Sequence, residues 1–153
     1  MSRREQAMAN FRKGYNCSQS VVLAFEDMVS VEKKELVRLA SSFGGGMGRL
    51  REVCGAVSGM FMIAGLLYGY DDPGAGPEKG DHYARIQELA GKFEEKNGSI
   101  ICRKLLGLDV QHDSPAPEAR TDAYYKKRPC EELVGDAAEI LEQYINEHPV
   151  SEK

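Results

Sequence analysis

The chain is predicted to be all-α on three observations: apolar residues recur at three- and four-residue spacing in most segments, no segment sustains a period-two alternation, and one central stretch is apolar all round, as the innermost helix of a bundle is. Its 153 residues, 42% hydrophobic and 29% charged, suit one domain with its own core. Residues 1–153 are therefore read as a single helical bundle of about six helices around that central, glycine-rich helix.

The opening helix, about Arg3 to Lys13, lines up Ala7, Met8 and Phe11 and ends against Gly14. A second begins at Asn16, where Asn16 and Gln19 have the spacing of a capping box, and carries Val21, Phe25, Met28 and Val29 on one face. A third, from near Val31 to Phe43, aligns Leu36, Leu39, Ala40 and Phe43 and stops at Gly44-Gly-Gly-Met-Gly48. The central helix lies within Val53 to Tyr70, a stretch without a charge. Its length approaches a bilayer span, and its GxxxG spacings, Gly55 to Gly59 and Gly65 to Gly69, also suit a membrane helix pair. Amphipathic segments on either side favour burial in a bundle instead, so an integral membrane protein is not expected.

Asp71 to Pro77 reads as a surface loop from its glycine and proline density. A long helix near Glu78 to Lys96 then aligns Tyr83, Ile86, Leu89, Ala90 and Phe93, and a shorter one opens at Ser99 and ends near Gly107. After the loop around Ser114-Pro-Ala-Pro117, a last helix from Pro129 buries Val134, Ala137, Leu141 and Ile145.

A net charge of −4 with both signs scattered leaves no basic stripe for a phosphate backbone or an anionic bilayer, which excludes nucleic acid as an expected partner. The first ten residues carry charge where an export signal needs an apolar run, so a cytoplasmic location is expected. The glycine run is no phosphate loop, because no Gly-Lys-Ser/Thr follows; Arg49 and Arg51 beside it could favour an anion or the Cys54 thiolate, but read more readily as solvated surface. His82, His112 and His148 stand in polar settings that read as exposed, without a local Cys-His or Ser-His pairing, which argues against hydrolytic catalysis. Tyr83, Tyr124 and Tyr125 read as core or interface residues rather than proton donors.

Chemistry is left to the four cysteines, Cys17, Cys54, Cys102 and Cys130. In a reducing compartment single thiols point to redox work or metal binding more readily than to structural disulfides, and none forms a CxxC pair. Three fall at predicted helix starts: Cys17 after Asn16, Cys102 in the turn opened by Ser99 as N-cap, and Cys130 after Pro129 at the first helical position. Cys54 lies near a fourth. Backbone N–H groups and the positive end of the helix dipole favour thiolate there, the form that attacks disulfides and ligates metals. Gly55, Ala56 and Gly59 open a shallow helix face at Cys54, with room for a second sulfur, a cluster or a closely packed helix.

Asn16-Cys-Ser-Gln-Ser20, Phe43-Gly-Gly-Gly-Met-Gly48, Cys54-Gly-Ala-Val-Ser-Gly59 and the single Cys102 and Cys130 together resemble the C_GCAxxG_C_C family of bacterial and archaeal proteins, over about residues 16–145. The label writes glycine before cysteine, whereas this chain has Cys54-Gly55 preceded by Val53. The resemblance implies a redox role for Cys17, Cys54, Cys102 and Cys130, with Gly55, Ala56 and Gly59 as motif residues at a cofactor or partner sulfur, and an association with membrane transport proteins.

Two chemistries stand nearly level: thiol–disulfide exchange, and an iron–sulfur cluster held by the same four cysteines as metal ligands. Ligand count also admits a closed zinc site, ranked below the cluster. Either redox chemistry makes the protein an oxidoreductase or electron carrier working with a redox partner protein. The alternative is a non-catalytic helical adaptor, or a structural zinc protein, associated with a transporter. A homodimer is expected to cover any part of the apolar helix the chain itself leaves bare.

Overall fold

A computed structural model describes residues 1–109 and 112–150. The chain folds as eight helices among those residues: α1 (Arg3–Arg12), α2 (Cys17–Leu23), α3 (Lys33–Ala40), α4 (Gly55–Tyr68), α5 (Gly76–Asn97), α6 (Cys102–Leu105), α7 (Asp122–Lys127) and α8 (Cys130–Glu147). Single 3-10 turns at Glu26–Met28 and Ser41–Phe43 continue α2 and α3. Among the described residues no strand forms beyond one isolated antiparallel bridge, Val53 with Ile101. The all-α expectation holds, and the helices beyond the six expected are short.

α4 is the centre. α2 packs along one side of it, α5 and α8 along others, and α1 lies between α2 and α8. Phe11, Phe25, Leu36, Met60, Ile63, Leu89, Phe93 and Leu141 form the fully buried interior. Among the described residues no helix is long and apolar enough to cross a membrane.

Several boundaries differ from the sequence reading, each for a local reason. The second helix does not run on to Val29: the Ala24 and Phe25 amides turn back to the Val21 and Val22 carbonyls, closing a tighter turn, although Phe25 remains buried. Leu39, placed on the apolar stripe, is 55% exposed, because only Leu36 and Ala40 of α3 face the core. Gly76 and Pro77 belong to α5 rather than to the loop before it, with proline in the first turn, where its missing N–H costs nothing. Tyr83 is exposed, and His82, expected at the surface, is buried with Nδ1 2.9 Å from Arg85 Nη1. Helix α7 went unrecognised; Thr121 caps it by accepting from the Tyr124 amide.

The contact between α2 and α4 depends on small residues. A Cβ at Gly59 would lie 2.8 Å from the Ser18 carbonyl oxygen and 3.1 Å from Val21 Cβ. Gly59→Ala is therefore expected to cost about 1–3 kcal/mol, as overpacking does. Gly91, on the exposed face of α5, has nothing within 4 Å of an added Cβ. Gly91→Ala is expected to add roughly 0.5–1 kcal/mol through helix propensity. Urea unfolding of both variants checks this pair; equal effects of one sign would contradict it.

Candidate functional site

The glycine run does not simply end a helix. Gly45, Gly46, Met47, Gly48 and Arg49 all have φ between 64° and 71°, a short left-handed turn, and Arg51 follows at 59°. Left-handed backbone costs a residue with a side chain about 1–2 kcal/mol, so Met47, Arg49 and Arg51 are held there by what surrounds them. The Arg51 and Glu52 amides donate back to the Gly45 and Gly46 carbonyls at 3.3 and 2.9 Å. At Gly46 a side chain has no room: a Cβ would sit 2.6 Å from Cys102 Cβ.

That turn delivers the chain to the Val53–Ile101 bridge. The Cys54 amide donates to the Ile100 carbonyl at 2.7 Å, and the Cys102 amide to the Glu52 carbonyl at 2.6 Å. Cys54 and Cys102 thereby stand diagonally across an antiparallel pair, on either side of the bridge.

All four cysteines occupy the same kind of position. Cys17 is the first residue of α2, after Asn16, whose capping box with Gln19 is formed as expected. Cys54 immediately precedes α4. Cys102 opens α6, capped by Ile101 rather than Ser99; the Ser99 hydroxyl instead accepts from the Ile101 amide. Cys130 opens α8, with Pro129 in the cap position rather than inside the helix.

The four side chains line one cavity of about 320 Å³. Gly55 lines it too, with its Cα hydrogen facing Cys17, where a Cβ would lie 3.0 Å from that residue's Cβ. The other two motif residues work behind the cavity: the Ala56 amide points at Cys54 Sγ, and Gly59 admits α2. Among the described residues no three His, Cys, Asp or Glu side chains come close enough to share a metal ion.

Sequence reasoning leaned to surface for Arg49 and Arg51 and did not single out Arg120 or Arg128. Arg51 is not solvated surface but 4% exposed, donating from Nη1 to Cys102 Sγ at 3.6 Å and from Nη2 to Asp113 at 2.8 Å. Arg49 shares Asp113, at 3.3 Å, and Arg128 pairs with Glu118 at 3.3 Å. Arg120 lies over the Phe11 ring and donates to the Phe11 and Tyr15 carbonyls. Tyr124, read as core or interface, lines the cavity with Cys130 and favours its thiolate. The contacts of Arg49, Arg51 and Arg120 join residues far apart in the chain, and no local pattern announces them.

Helix-start position alone was expected to favour thiolate at each site, but burial decides otherwise for three. Cys17 is held well above the ordinary thiol range because it gives its hydrogen bond to Cys130, and burial adds to this. Burial pushes Cys54 up to about 12, against the Ala56 and Val57 amides. It also raises Cys102, with Arg51 opposing. Cys130 alone is lowered, to about 7, by the Cys17 hydrogen bond first, then by Arg128 and Tyr124, which together outweigh its burial.

Fold and site together define an all-α protein with a buried, four-cysteine cavity at the starts of its helices. The chain belongs to the C_GCAxxG_C_C family: the family model, described as "Putative redox-active protein (C_GCAxxG_C_C)", matches residues 15–144. No curated protein and no solved structure matches the chain.

The charge balance makes a direct prediction for alkylation. Thiolate is the reactive species, so iodoacetamide is expected to modify Cys130 first, with a rate that rises with pH through a midpoint near 7. Cys17→Ala removes the leading donor and is expected to move that midpoint up toward the ordinary value of 9.0. Peptide-resolved mass spectrometry across pH 5–10 reads both; a wild-type midpoint already near the ordinary value would contradict the assignment.

Proposed function

We propose that this protein is a dithiol–disulfide redox protein in which Cys130 is the nucleophile and Cys17 the resolving thiol. The observation that carries this reading is the meeting of those two cysteines: they open helices from opposite ends of the chain, line one cavity and act on each other's ionisation.

The chemistry follows from that contact. Cys130 thiolate attacks one sulfur of a substrate disulfide; a Cys130–S bond forms, the substrate S–S bond breaks, and one half leaves as a thiolate that takes a proton. Cys17 then loses its proton and attacks the Cys130 sulfur. The Cys17–Cys130 bond forms, and the second half of the substrate leaves as a thiolate, which is protonated in turn. The substrate gains two electrons and two protons; the protein gives up two electrons and the Cys17 proton, the second proton coming from the water that received it when Cys130 ionised, and an external dithiol donor protein restores the reduced state.

Each neighbour has a part in this reading. Arg128 and Tyr124 stabilise the attacking thiolate, and the Tyr124 phenol, raised by burial and by the charges of Cys130 and Cys17, stays protonated as a donor. Cys54 and Cys102 stay protonated near neutral pH and remain outside the exchanging pair. Chemistry of this kind needs thiols kept reduced between turnovers, which suits a cytoplasmic setting.

Oxidation of the reduced protein by one equivalent of diamide is expected to give an intramolecular Cys17–Cys130 disulfide, while Cys54 and Cys102 remain open to alkylation after unfolding. Cys17→Ala is expected to accumulate a mixed disulfide on Cys130. Non-reducing peptide mapping checks both, and a first-formed bond between any other pair would refute this assignment.

A further inference from the structure

The cavity is asymmetric in charge. Four guanidinium groups, those of Arg49, Arg51, Arg120 and Arg128, line it against one carboxylate, Glu118, in a chain whose net charge is −4. Three of the four are in ion pairs: Arg49 and Arg51 share Asp113, and Arg128 pairs with Glu118. Arg120 differs. Its hydrogen bonds go to two main-chain carbonyls, and none of the ion pairs among the described residues involves it. Stacking on Phe11, with the guanidinium carbon 4.0 Å from the ring centroid, holds the planar group in place. Its charge acts on Tyr124, and Arg120, Tyr124 and Cys130 line the same cavity, so a cation without a carboxylate partner faces the space that holds the reactive sulfur.

Size and walls narrow the occupant further. A volume of about 320 Å³ is at the small end of ligand pockets, suited to a metabolite-sized molecule rather than a folded segment. Phe11, Leu106 and Leu133 give the cavity apolar walls for methylene and sulfur atoms. We infer that the substrate is a small disulfide bearing carboxylates, whose acid group pairs with Arg120 and thereby sets its S–S bond over Cys130. This inference rests on the dithiol reading and names the substrate class for it. The exchange is the one described above: the carboxylate disulfide leaves as two thiols, and the protein leaves as the Cys17–Cys130 disulfide until a dithiol donor reduces it.

A charge series tests this. The reduced protein is mixed with 3,3′-dithiodipropionate (anionic), bis(2-hydroxyethyl) disulfide (neutral) or cystamine (cationic), and the rate of Cys17–Cys130 bond formation is measured for each. Every rate is divided by that of the same disulfide with the urea-unfolded chain, which cancels intrinsic differences between leaving thiols. The normalised rate for the anion is expected to exceed the neutral probe's by about tenfold, with the cation slowest, as a charge-assisted contact allows. Arg120→Gln is expected to bring the anion-to-neutral ratio toward one, and Arg120→Lys to keep most of it. Raising ionic strength in the wild type is expected to shrink the ratio as well, a readout that needs no variant to fold. A wild-type ratio near one, a ratio unmoved by Arg120→Gln, or one indifferent to salt would overturn the inference. The two readings fail differently: if the neutral probe forms the bond without charge preference, only the substrate class falls, whereas if no probe forms it, the dithiol assignment falls with it.

Discussion

The approach of α2 to the start of α4 is the constraint on which the rest of the molecule depends. Gly55 and Gly59 bring the backbones so close that the Ser18 carbonyl and Cys17 Cβ occupy the space a side chain would take. Because of that contact, Cys17 stands beside the residue pair that carries Cys54. The left-handed glycine turn then brings Arg51 under Cys102, and the Val53–Ile101 bridge fixes the second pair of sulfurs against the first. α8, packed on α1, α2 and α4, delivers Cys130 from the far end of the chain. Four helix starts meet as a consequence of close packing on one central helix, with no sequence proximity among the cysteines.

Within the cavity, two opposing effects decide which sulfur ionises. Removal from water penalises a thiolate at every one of the four positions, and at Cys54 and Cys102 it prevails. At Cys130 the balance reverses, because a neighbouring thiol, a phenol and a guanidinium all face it. The same interaction that lowers Cys130 raises Cys17, so the pair is polarised into one thiolate-prone sulfur and one proton-bearing partner. A helix start supplies favourable amides, but amides alone are too weak to offset full burial, as Cys54 shows.

Much of the architecture was legible in the sequence because periodicity reports burial. The central helix within the uncharged run Val53 to Tyr70, the Asn16 capping box and the helix after Pro129 all follow from local pattern. What was not legible depends on long-range pairing. Arg51 looked like surface because nothing near it in sequence reveals Asp113 or Cys102 as partners. His82 and Arg85 hide each other's polarity in a helix that read as having an exposed polar face. The short helix at Asp122–Lys127, rich in tyrosine and lysine, carries too little apolar periodicity to stand out, yet it supplies Tyr124 to the site. The cysteines themselves could be located at helix starts, while the ionisation expected of all four is met at one, since burial is a tertiary property.

The central claim is that Cys17 and Cys130 form a close dithiol distinct from the other two thiols, and titration with phenylarsine oxide tests it most directly. Trivalent arsenic bridges two sulfurs only where both are already within reach, and it involves no oxidation. One equivalent per reduced chain is the expected stoichiometry, with Cys17 and Cys130 protected from later alkylation and Cys54 and Cys102 still modified once the chain is unfolded under conditions that preserve the arsenic adduct. Absence of a tight one-to-one adduct, or protection of a different pair, would contradict the account.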